Sequence, residues 1–113
     1  MIVTLEAAFA GFTFLPWFAW ASNSLNPKLI LYADHVEYRL LRTRTRPYGE
    51  IARVDYRKAP GTENVVLEFH GAKMTFIANT GLVGRTKEVI TLLHQHGCPL
   101  SERAQAFLLP SGP

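Results

Sequence analysis

Arg42, Arg44 and Arg46 alternate with Thr43 and Thr45, and Arg39 and Arg53 stand to either side of that run. In an extended strand, side chains at i, i+2 and i+4 share one face, so the three central guanidinium groups form a row. A guanidinium fork matches the oxygens of phosphate or carboxylate, and each near-surface cation contributes about 1 kcal/mol toward an anionic surface. Such a row would hold phosphate oxygens or anionic headgroups, or dock an acidic protein surface. It would serve equally as a solvated edge strand whose charge prevents edge-to-edge pairing. Residues 28 to 58 carry eight basic and four acidic side chains, a local +4 against +3 for the whole chain. Arg39, Arg42, Arg44, Arg46 and Arg53 are therefore the candidate anion- or partner-binding residues.

Other residue types offer less chemistry. Glu68 and His70 are two apart on one strand face, a spacing open to acid–base work or to a plain solvent-facing pair. His94, His96 and Cys98 form a single cluster. A zinc site commonly needs four ligands in two separated pairs, and i,i+2 positions on a helix point apart. The stretch from Gly81 to Thr86 lacks the spacing and the lysine of a phosphate-binding loop. Ser22, Ser24, Ser101 and Ser111 fall in turns, caps or tails with no base beside them. The expectation is a non-enzymatic chain with no metal and no cofactor. Tyr32, Tyr38 and Tyr48 near the basic run would stack on bases, but +4 is small for a surface that tracks phosphates, and Tyr38 shares parity with Val36 and Leu40. Nucleic acid and a small-molecule substrate are accordingly not the expected partners.

The elements that must position these residues follow from periodicity. From Lys28 the pattern has period two: Leu29 and Leu31, then Val36, Tyr38 and Leu40, then Ala52, Val54 and Tyr56, then Val65, Leu67 and Phe69, then Met74, Phe76 and Ala78. About six short strands joined by tight connections predict an antiparallel meander, closed or nearly closed as a small barrel or packed sheet. The period then becomes 3.6. Thr80 caps a helix with Leu82, Val89, Ile90 and Leu93 on its apolar stripe, and Gly97 and Pro99 stop it. A second, shorter helix between Pro99 and Leu109 would place Ala104, Phe107 and Leu108 on one side.

The first 21 residues have a different character. Six of the chain's 13 aromatic residues (Phe9, Phe12, Phe14, Trp17, Phe18 and Trp20) lie within one twelve-residue window, and Ala7 to Pro27 carries no charge. Ile2 to Ala21 is long enough for a membrane helix, with Trp17 and Trp20 at one interface and the basic residues downstream on the cytoplasmic side. Ala19-Trp20-Ala21 resembles a signal-peptide cleavage site, without the basic n-region. Alternation of Val3, Leu5, Ala7 and Phe9, with Gly11 as a turn, reads instead as a buried strand or hairpin. All three readings stay open, and the six aromatics are candidate membrane- or partner-docking residues. Ser22 to Pro27 is the strongest boundary. The expected organisation is a hydrophobic segment at 1–24, a β domain with capping helix at 25–97, and a short helix and tail at 98–113.

At 113 residues, 48% hydrophobic and 19% charged, the chain has the size of one domain, and its single cysteine excludes an intrachain disulfide scaffold. The run from Leu29 to Arg39, the basic run from Thr43 and the bend Tyr48-Gly49-Glu50-Ile51-Ala52-Arg53-Val54 resemble the bacterial branch of the pleckstrin-homology-like fold, over about residues 28–96. That resemblance implies an α+β, mainly β fold: a partly closed barrel of six to seven strands capped by an amphipathic helix. It also implies an accessory role in binding protein partners (a membrane protein or a second copy) or membrane surfaces, with hydrophobic segments often preceding the domain. Localisation would then be membrane-associated with the β domain cytoplasmic, or cytoplasmic throughout if residues 2–20 complete the sheet of a soluble oligomeric module. Six strands are counted where seven are usual, so residues 2–14 are the candidate for the missing one.

Overall fold

The computed structural model describes residues 1–12, 15–21, 27–39 and 42–109, with the backbone course alone for residues 7, 9–12 and 15–21. The fold is α+β and mainly β. Strands β1 (Ile2–Val3), β2 (Ala7–Phe12), β3 (Leu15–Ala21), β4 (Lys28–Leu31), β5 (His35–Arg39), β6 (Thr43–Pro47), β7 (Ile51–Ala59), β8 (Thr62–Phe69) and β9 (Met74–Asn79) precede helices α1 (Val83–Gln95) and α2 (Glu102–Leu108). They form two antiparallel sheets, ordered β1-β4-β5-β6 and β3-β2-β9-β8-β7. The expected barrel does not close, because among the described residues no strand of one sheet pairs with a strand of the other. A 3₁₀ turn at Tyr48–Glu50 breaks the chain between β6 and β7 and redirects it into the second sheet.

The N-terminal segment forms strands, the strand reading among the three left open. Val3 pairs with Leu29 in the first sheet. Six consecutive residues of β2 then pair with β9, from Ala7 opposite Asn79 to Phe12 opposite Met74, and β3 folds back on β2. Among the described residues no helix is long and apolar enough to cross a membrane. Hydrophobic length cannot separate a span from a pair of strands. The open edges of β4 and β9 decide the matter, since their backbone groups need partners and the alternating residues 2–12 supply them. Phe14 and the boundary at 22–26 lie outside the described residues.

One core unites the parts. Leu29 and Leu31 of β4, Val36 and Tyr38 of β5, Val65, Leu67 and Phe69 of β8, Phe76 and Ala78 of β9, and Val89, Ile90 and Leu93 of α1 are all buried in it. Alternation predicted these faces for β4, β5 and β8. In β7 a bulge between Ile51 and Arg53 shifts the parity, so Ile51 is buried where Ala52 was expected, while Val54 is buried as expected. Leu82, expected on the stripe of α1, is 53% exposed. It occupies the N-cap position, and the buried hydroxyls of Thr80 and Thr86, 2.6 Å apart, anchor that end of the helix. At the other end Gly97, at φ +88°, lets Cys98 N–H reach the Leu93 carbonyl and Gly97 N–H that of His94, a Schellman cap that buries Cys98.

Residues 99–101 dock on the outer edge of β7. Val54 N–H donates to the Pro99 carbonyl and Ser101 N–H to that of Val54. This placement buries Asp55, which alternation had assigned to solvent. Its carboxylate accepts from Ser101 Oγ at 2.6 Å, from Arg103 at 2.6 Å and from the Tyr56 N–H at 2.8 Å. Ser101 Oγ also caps α2 by accepting from Ala104 N–H. Phe107 of α2 stacks on Tyr56 at 3.8 Å between centroids.

Two outcomes are expected. Deleting residues 1–24 removes β1, β2 and β3 and bares the edges of β4 and β9; the truncated chain should lose near-ultraviolet circular dichroism and cooperative melting, whereas an independent anchor would leave both intact. Burial alone would raise the Asp55 pKa, but the bonds from Ser101, Arg103 and the Tyr56 N–H outweigh it, and the carboxyl titrates below its ordinary 3.8. Its stabilisation is whole above that value and fades as pH falls through the lower folded pKa. Asp55→Ala should therefore cost about 2–3 kcal/mol at neutral pH by denaturant titration, the gap narrowing in acid. Arg103→Ala should cost under about 1 kcal/mol, because that guanidinium is mostly in water and Ser101 remains.

Candidate functional site

Register, more than residue type, builds the site. Tyr38 of β5 stands opposite Arg44 of β6, and Val36 opposite Arg46. Directly opposed residues of an antiparallel ladder share a face, so these arginines lie on the inward face with two core residues. β6 is the last strand of its sheet, and its arginines overhang the open mouth between the two sheets. A cavity of about 420 Å³ opens there. Tyr38, Phe69 and Phe76, none more than 6% exposed, form its floor, and Arg42, Arg44 and Arg46 stand along one side. Lys73, from the turn before β9, and Met74, the first residue of β9, also line it.

The floor is a packed aromatic cluster. Tyr38 stacks on Phe69 at 5.2 Å and meets Phe76 at 5.0 Å with a 48° tilt. Arg46 is fixed against it. Its Nε donates to Tyr38 Oη at 3.0 Å, its guanidinium carbon lies 4.7 Å from the Phe69 centroid, and Glu50 approaches at 3.5 Å. The Tyr38 bond is the main cause of an upward shift in the Arg46 pKa, so this cation is permanent. Arg42 and Arg44 are exposed and make no hydrogen bond or ion pair among the described residues. The site thus holds one oriented guanidinium and two free ones above an apolar surface. Its described lining contains no carboxylate, imidazole or thiol.

The other candidates are placed elsewhere. Arg39 lies on the opposite face of β5, the face on which Lys28 and Glu37 pair at 3.0 Å, and its buried Nε has no hydrogen-bond partner among the described residues. Arg53 donates to Glu68 at 2.5 Å on the side of β7 and β8 turned from the core. That pair occupies the carboxylate considered for acid–base work, while His70 is exposed in the turn after β8. Phe9 and Phe12 lie in β2, and Trp17, Phe18 and Trp20 in β3; their side chains and Phe14 lie outside the described residues. Tyr38 and Tyr48 are buried, so Tyr32, Tyr38 and Tyr48 do not form an exposed stacking trio. His96 stacks on Tyr48 at 4.1 Å, and burial pushes the Cys98 thiol up to about 11. Among the described residues no three His, Cys, Asp or Glu side chains form a group able to hold a metal ion.

Sequence reasoning missed Phe69, Phe76 and Lys73 as parts of the site. They come from the second sheet, and only the pairing register and the open mouth bring them beneath the arginines. No family model matches the chain, and no curated protein matches it.

The division between oriented and free arginines has a measurable consequence. Arg42→Gln and Arg44→Gln should each change stability by less than about 0.5 kcal/mol in denaturant titration. Arg46→Gln loses the Tyr38 bond and the contact with the Phe69 ring and should cost about 1 kcal/mol. Equal costs at all three positions would contradict this division.

Proposed function

We propose that this chain is a non-enzymatic docking module of pleckstrin-homology-like architecture that binds an anionic partner at the mouth between its sheets. The observation that carries the reading is the convergence of Arg42, Arg44 and Arg46 on one aromatic-floored cavity, with Arg42 and Arg44 making no ion pair among the described residues. Desolvation and side-chain ordering oppose any new ion pair. Here Tyr38 and Glu50 already hold Arg46 in place, and the apolar floor lowers the local dielectric beneath the rim. Two free planar forks beside it offer bidentate contacts to carboxylate or phosphate oxygens. Two sheets followed by a helix support the pleckstrin-homology-like reading. The accessory role rests on a described lining of cations over an aromatic floor, equipped to hold a partner.

The full-length chain is expected to bind poly-glutamate, or vesicles of phosphatidylglycerol with phosphatidylcholine, and not vesicles of phosphatidylcholine alone. Binding should weaken as salt rises. Replacing Arg42, Arg44 and Arg46 together by glutamine should cost roughly a hundredfold in affinity, at about 1 kcal/mol for each cation. Undiminished affinity in a folded triple variant, or no binding to either anionic probe at low salt, overturns the proposal.

A further inference from the structure

The occupant of the mouth can be narrowed further, in a step that rests on the anion-docking reading. We infer that it is an extended acidic segment of another protein, added as a strand to the free edge of β6. Among the described residues the sheet order ends at β6, and Thr43, Arg44 and Thr45 are exposed along it. Alternate residues of an edge strand turn N–H and C=O outward without partners, and an extended peptide satisfies them. Pro47 has no N–H and marks where such pairing stops.

The side chains repeat the same period. Arg42, Arg44 and Arg46 recur every second residue, roughly 6.6–7 Å apart along an extended chain, which is also the spacing of same-face side chains in an added strand. A segment reading acidic, any, aromatic, any, acidic would set its two carboxylates among the guanidiniums. Its central ring would then enter the cavity over Tyr38, Phe69 and Phe76. Main-chain bonds supply affinity in this mode, and pockets for alternate side chains supply specificity.

Charge and geometry decide among occupants. A second copy pairing β6 to β6 would bring the two arginine rows together, and like charges across a ladder destabilise it. A lipid surface favours cations spread over a convex face, whereas Arg44 and Arg46 sit on the inward face of β6 and Arg46 is tied to Tyr38 and Glu50.

The test uses the full-length chain and the peptide Thr-Glu-Thr-Phe-Thr-Glu-Thr, with two N-methylated versions. One is methylated at the glutamates and phenylalanine, the other at the central threonines. In an added strand only one of these sets of N–H groups faces β6. The parent peptide should bind, its lysine-for-glutamate counterpart should not, and one N-methylated version should weaken about tenfold or more while the other is tolerated. Equal loss or equal tolerance in both versions overturns strand addition and leaves anion docking standing. Binding to phosphatidylglycerol vesicles without binding to the peptide overturns the acidic protein segment and returns the site to lipid. Failure of every anionic probe overturns both readings.

Discussion

The ring of Tyr38 is the contact at which the core shared by the two sheets meets the candidate site. No strand of one sheet pairs with a strand of the other among the described residues, so side-chain packing has to join them. Tyr38 projects from β5 onto Phe69 of β8 and Phe76 of β9, and its hydroxyl accepts from Arg46. Aromatic pairs of this kind contribute about 0.5–1.5 kcal/mol each beyond the area they bury. One side chain therefore links the sheets, floors the cavity and orients the first cation of its rim. Stability and recognition share an anchor, so a change at Tyr38 would disturb both and report on neither alone.

The chain keeps this junction open by directing its polar backbone elsewhere. At the turn between the sheets, Tyr48 Oη donates to the Tyr32 carbonyl at 2.5 Å, and His70 N–H donates to the Glu50 carbonyl. Burial raises the Tyr48 pKa to about 12, so the hydroxyl remains a donor throughout the neutral range. These bonds tie the turn between β6 and β7 to Tyr32 after β4 and to His70 after β8. The edge of β7 is covered partly by residues 99–101 and that of β9 by β2. β6 receives no such cover from the described residues.

The sequence made the alternating faces of β4, β5 and β8 legible, because a half-buried strand writes its environment at period two. It also put Arg42, Arg44 and Arg46 on one face. Three features were beyond its reach, each for a physical reason. Which face the arginines share depends on the Tyr38–Arg44 register, a relation between strands with no trace in either strand alone. The burial of Asp55 depends on Ser101 and Arg103, which arrive from more than forty residues later. The inserted residue at Ala52 shifts parity by one, and no breaker residue signals it. The hydrophobic N-terminal segment stayed ambiguous for a different reason. Apolar length measures a need for burial, and both a bilayer and a sheet edge meet that need.

The arginine row answers the edge-strand problem in an instructive way. An uncovered edge invites pairing with any extended chain, and charge is a common defence. Continuous charge on both faces would have repelled every strand alike. In β6 the cations occupy the inward face only, and Thr43 and Thr45 carry the other. Threonine favours extended structure and pairs readily across a ladder. The edge is thus hostile to a copy of itself and to neutral hydrophobic strands, while retaining the backbone geometry that a strand of opposite charge can use. In the proposed docking, specificity is a difference between repelled and accepted partners, and the same three guanidiniums set both terms.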